Sequence, residues 1–79
     1  MSMSDELVER ALSHARSGTT TEEAVQDLLG CCDGHRVAAV HARQVLLERL
    51  EADPSDQVAD QAMGLVQEML HRDVWDVVA

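Results

Sequence analysis

The chain has 79 residues and a mass of 8.7 kDa, with 15 acidic side chains set against 6 basic ones for a formal charge of −9. This length holds one domain of three or four helices and excludes a nucleotide-binding domain of roughly 150 residues. An apolar fraction of 46% with 27% charged residues belongs to a globular chain rather than a disordered one.

In chain order, Ser4 followed by Asp5 and Glu6 reads as a helix start, because a hydroxyl cap and first-turn acids satisfy the free amide groups there. Leu7, Val8, Ala11, Leu12 and Ala15 repeat at helical spacing up to the stop at Gly18, which predicts a first helix over 5–17. Thr20 and Glu23 have capping-box spacing, and Ala24, Val25, Leu28 and Leu29 form the buried stripe of a second helix over 21–30, ending near Gly30 or one turn later. Gly30-Cys31-Cys32-Asp33-Gly34 reads as a turn, with Asp33 capping a third helix over 35–52. Apolar residues from Ala38 to Leu50 occupy well over half of that helix's circumference, so it is expected at the centre of the bundle. In Asp53-Pro54-Ser55-Asp56, Asp53 is expected as the cap and Pro54 as the first residue of a fourth helix over 54–72. Val58, Ala59, Ala62, Met63, Leu65, Val66, Met69 and Leu70 share one arc of it, while Asp60, Gln61, Gln67, Glu68 and His71 share the other. The tail from Asp73 to Ala79 is mostly apolar, where chain ends are usually polar. The expected architecture is all-α, a compact bundle of three to four antiparallel helices in a single domain over 1–79.

Lys, Ile, Asn, Phe and Tyr are absent, and these are the residues with A/T-rich codons, which indicates a GC-rich bacterial genome. A core of Leu, Val, Ala and Met with Trp75 as the one aromatic lets helices approach closely but buries little area per residue. At roughly 25 cal/mol per Å² that leaves a small margin over chain entropy, and a homodimer or a docked partner would widen it. No run approaches a membrane span, and the opening residues are acidic where a signal peptide is basic and then apolar, so a cytoplasmic location is expected. Adjacent Cys31 and Cys32 strain any mutual disulfide and are expected to be reduced.

Cys31, Cys32, His35 and His41 have the chemistry of zinc ligands but lack the two separated pairs that wrap a tetrahedron. No third group orients a Cys–His pair for nucleophilic attack, and no glycine-rich phosphate loop is present, so no catalysis, cofactor or metal is expected. Leu29-Gly30-Cys31-Cys32-Asp33-Gly34-His35 superficially resembles the Leu-Gly-x-Asp-Ser-Leu signature of acyl carrier proteins. The resemblance ends at Gly34, which takes the place of the serine that would carry phosphopantetheine.

Two binding functions remain. The first is a regulator or adaptor, antitoxin-like in character, whose acidic face on the fourth helix and tail (Asp60, Glu68, Trp75, Val77 and Val78) suit a protein partner with a basic surface, the alternative for Trp75 being that it folds back and closes one end of the bundle. The alternative is a nucleic-acid-binding regulator in which the second and third helices form a helix-turn-helix-like pair and Arg36, Arg43 and Arg49 meet phosphate. The charge of −9 opposes the alternative, and these arginines are equally able to pair with acids of neighbouring helices.

Overall fold

The computed structural model describes residues 2–72 as four helices: α1 (Met3–Ser17), α2 (Thr21–Cys32), α3 (Arg36–Ala52) and α4 (Gln57–His71). They form an all-α bundle with no strand among the described residues. No helix there is long and apolar enough to cross a membrane.

Helix ends follow local chemistry, though not always at the expected residue. Ser2, not Ser4, caps α1: its hydroxyl accepts from the Asp5 amide at 3.2 Å, and Ser4 lies buried one step inside the helix, 3.0 Å from the Ser2 hydroxyl. Thr20 caps α2 as expected, accepting from the Glu23 amide at 3.3 Å. Gly18 ends α1 at φ 71°, a left-handed conformation that costs a residue without Cβ nothing.

The expected turn at Gly30 is helix instead, because α2 runs on to Cys32 and buries that side chain completely. Asp33 then closes α2 in the left-handed region at φ 47° and Gly34 follows at φ 79°, so the reversal falls three residues later. Asp33 therefore ends α2 rather than capping α3, whose first residue follows His35 without a side-chain cap. Asp53 likewise ends α3. Its carboxylate accepts from the amide and hydroxyl of Ser55, folding 53–56 into a turn, and Asp56 caps α4 by accepting from the Ala59 amide at 3.0 Å. Pro54 lies in that turn, and α4 starts three residues later than its apparent signal. The local competition decides this: an aspartate that bonds two residues ahead makes a turn, and the next aspartate is left to cap.

The core also has a different centre. α4 buries Ala59, Ala62, Met63, Leu65, Val66, Met69 and Leu70, and packs on each of the other three helices. α3 buries only Ala39, Ala42 and Leu46, scarcely touches α2, and leaves Val37, Val40 and Leu47 at 82%, 38% and 40% exposure. The expectation of a central α3 is thus corrected. An apolar residue on a helix is buried only where another helix covers it, and α3 is covered on one side.

Leu46 and Leu47 separate these environments. At low protein concentration Leu46→Ala should cost about 2–5 kcal/mol in urea denaturation, whereas Leu47→Ala should cost less than about 1 kcal/mol. Gly30 and Gly64 lie in helices with open space around the position of a Cβ. Each is expected to gain about 0.5–1 kcal/mol of stability on replacement by alanine, read in the same way.

Candidate functional site

Where the carboxyl end of α1 and the start of α2 approach α4, they leave a cleft of about 360 Å³. Its walls include His14, Gly18, Thr21, Gln61, Gly64 and Glu68. Asp60 and Glu68, expected from the sequence as partner-binding residues, are both exposed on the outer face of α4, and Glu68 borders this cleft. Gly64 lies between them on that face and leaves the helix backbone bare. Trp75, Val77 and Val78, the rest of that expected surface, lie outside the described residues.

Two separate ion-pair clusters reach the cleft, one through His14 and the other through Glu68. Arg10 bonds Glu6 one turn back at 3.1 Å and reaches across to Asp27 of α2 at 3.0 Å. The other oxygen of Asp27 accepts from His14 Nε2 at 2.8 Å. On the far side, Arg72 holds Glu22 at 2.7 Å and Glu68 at 3.5 Å, joining the end of α4 to the start of α2. These contacts shift charge equilibria in the expected directions. Asp27 is held below the ordinary aspartate range, mainly by the hydrogen bond from His14 and, against some opposition from partial burial, by Arg10. Glu22 is lowered by its bond to Arg72, and Arg10 is raised by its bond to Glu6 and by Asp27.

The arginines of the nucleic-acid alternative do not converge on one face. Arg36 and Arg43 are seven residues apart and so share a side of α3, whereas Arg49 is rotated roughly 140° from Arg36. Arg49 instead borders a groove of about 690 Å³ between α1 and α3, with Asp5, Glu9 and Glu48 around an apolar floor of Val8 and Val45. All three arginines are exposed, and among the described residues none has a carboxylate within ion-pair distance. Pairing with acids of neighbouring helices, weighed from the sequence, is therefore not what holds them.

Cys32 is fully buried and donates to the Leu29 carbonyl at 3.4 Å, and the His35 ring lies 3.1 Å from the Cys32 carbonyl. Burial pushes both thiols up, away from the thiolate form that metals and nucleophilic chemistry use. Among the described residues no three His, Cys, Asp or Glu side chains come together as a metal site.

Sequence reasoning missed the Asp27 network and the outer stripe of α3. Glu6–Arg10 and Glu68–Arg72, each four residues apart, were legible as pairs; Arg10 and His14 meet Asp27, and Arg72 meets Glu22, through tertiary packing. The stripe was legible in principle, since 37, 40 and 47 share one helical side.

Asp27 generates a pH prediction. A carboxyl whose folded pKa is depressed stabilises the fold above its unfolded value, and that contribution is lost as pH falls through the lowered folded value. Asp27→Asn should therefore remove part of the loss of stability seen on acidification below about pH 4. The neutral-pH cost should be on the order of 1 kcal/mol or less, because the side chain is 38% exposed and screened by solvent. Thermal unfolding from pH 7 to pH 3 measures both. Comparisons of the chain with protein-family models, with curated proteins and with solved structures found no match.

Proposed function

We propose that this chain is a small acidic interaction module, a regulator or adaptor of bacterial origin, that binds a protein with a basic surface and also pairs with a second copy of itself. The observation that carries the reading is the outer face of α4. That helix is the most deeply packed of the four, yet Asp60, Gln61, Gly64 and Glu68 stand exposed on it beside an open cleft.

Gly64 sharpens the point. A glycine inside a helix costs roughly 1 kcal/mol relative to alanine, and among the described residues nothing comes within 4 Å of a Cβ placed there. A bare stretch of backbone flanked by carboxylates suits the close approach of a partner, with charge setting orientation and on-rate. In the sequence, Trp75 follows three residues after Arg72, which continues the four-residue spacing of Asp60, Gly64 and Glu68. In this role the molecule acts by contact and without catalysis. The free thiols of Cys31 and Cys32 support a reducing compartment such as the cytoplasm.

The test is affinity capture on immobilised wild-type chain, followed by binding measurements with the purified captured protein. Asp60→Arg combined with Glu68→Arg should weaken binding about tenfold or more, and added salt should weaken the wild-type complex. Trp75→Ala should also weaken it while leaving thermal unfolding unchanged. Undiminished binding by both variants would overturn this surface. The nucleic-acid reading would replace it if the chain bound duplex DNA in a salt-sensitive manner that Arg36→Glu plus Arg43→Glu abolished.

A further inference from the structure

We infer that α3 is the self-pairing helix: its outer stripe packs in parallel against the same stripe of a second copy, in the register that sets Arg43 beside Glu48 of that copy. This rests on the self-association included in the function above, and is independent of the α4 face.

The first observation is that α3 has two apolar sides. Ala39, Ala42 and Leu46 face the core, while Val37, Val40 and Leu47 lie roughly 150° away around the helix and are exposed. With Gln44 between them, positions 37, 40, 44 and 47 follow the alternating three- and four-residue spacing of a two-stranded coiled-coil seam. Val37 and Leu47 follow the two-stranded preference for a β-branched residue at the first heptad position and leucine at the fourth, whereas Val40, also at a fourth position, does not.

The second observation is charge, and it selects both the occupant and the direction. Arg36 and Arg43 flank one side of the stripe; His41 and Glu48 flank the other. In a parallel pair, a residue on the first flank meets the residue five positions later on the opposite flank of the other helix. Arg43 therefore meets Glu48 of the second copy, and two-fold symmetry makes the contact twice. An antiparallel pair brings Arg43 towards Arg43 of the second copy, which repels.

Both groups are available. Among the described residues neither Arg43 nor Glu48 takes part in an ion pair. The residues four positions either side of Arg43 are Ala39 and Leu47, so no pair within the helix competes. Gln44 at the middle of the seam meets its own counterpart, and a polar group there fixes register at some cost in affinity. Glu51 would be the next seam position and opposes its own copy, which ends the contact after about three turns. So short a seam falls below the roughly 1,200–2,000 Å² of a stable complex, and the dimer is expected to be weak, with a dissociation constant of roughly 10–100 µM.

Sedimentation equilibrium over a range of concentrations tests this. Wild type should show a monomer–dimer equilibrium, and Arg43→Glu and Glu48→Arg should each weaken it about tenfold. An equimolar mixture of those two variants should regain dimerisation to within about threefold of wild type, because the mixed pair restores two opposite-charge contacts. Val37→Ser plus Leu47→Ser should abolish the dimer with helix content unchanged by circular dichroism. A wild type that stays monomeric, a dimer indifferent to these changes, or a mixture that stays dissociated would each overturn the proposal. Asp60→Arg plus Glu68→Arg should leave the dimer intact, so a failure of partner capture leaves this inference standing, and loss of the dimer in that variant would overturn it.

Discussion

The bundle depends on one apolar arc of α4 serving as the common floor for three helices. Ala59, Ala62, Met63, Leu65, Val66, Met69 and Leu70 cover enough of that helix for α1, α2 and α3 each to pack on it. Alanine recurs where the other helices approach, as Ala11, Ala24, Ala39 and Ala42, all fully buried, so the axes can come close without large side chains between them. Leu7, Leu12, Leu28, Leu46 and Met69 are the largest of the fully buried side chains. The consequence is unequal coverage. α1 touches all three neighbours, whereas α2 and α3 scarcely meet, and α3 presents one side to the core and the other to solvent.

The acidity of the chain divides along related lines. Asp5, Glu6, Glu22, Glu23, Asp56 and Asp60 lie at helix starts, where carboxylates cap amide groups or oppose the positive end of the helix dipole. Asp33 and Asp53 read as caps from the sequence but end the preceding helices. Asp27 and Glu68 are mid-helix acids drawn into pairs with cations of other turns or other helices. Two acids that read as caps of a following helix are thus helix ends, and Asp60, exposed on α4, belongs both to a first turn and to the outer face.

The two surfaces proposed for binding lie on different helices and draw on different chemistry. The α4 face is polar, acidic and broken by a glycine; the α3 stripe is apolar with a self-complementary charge border. Because the two proposed surfaces lie on separate helices, the two proposals do not compete for the same residues. Arg43, one of the three arginines of the nucleic-acid alternative, is assigned by the proposed α3 pairing to Glu48 of the second copy instead.

Helix number, type and most of their extent were legible in the sequence because they follow from spacing. Apolar residues at three and four, a threonine three residues before a glutamate, and a glycine at a stop are local facts with local consequences. The exposed acidic side chains of α4 followed in the same way, since Asp60 and Glu68 fall off the apolar arc. Tertiary structure alone decided which aspartates cap and which terminate, because Asp33 and Asp53 can do either and the outcome depends on how far the preceding helix is held in the core. It also decided that α4, not α3, is central. Hydrophobicity around a helix records what could be buried, whereas burial requires a neighbour, and only the packing of four helices together determines where the neighbours are.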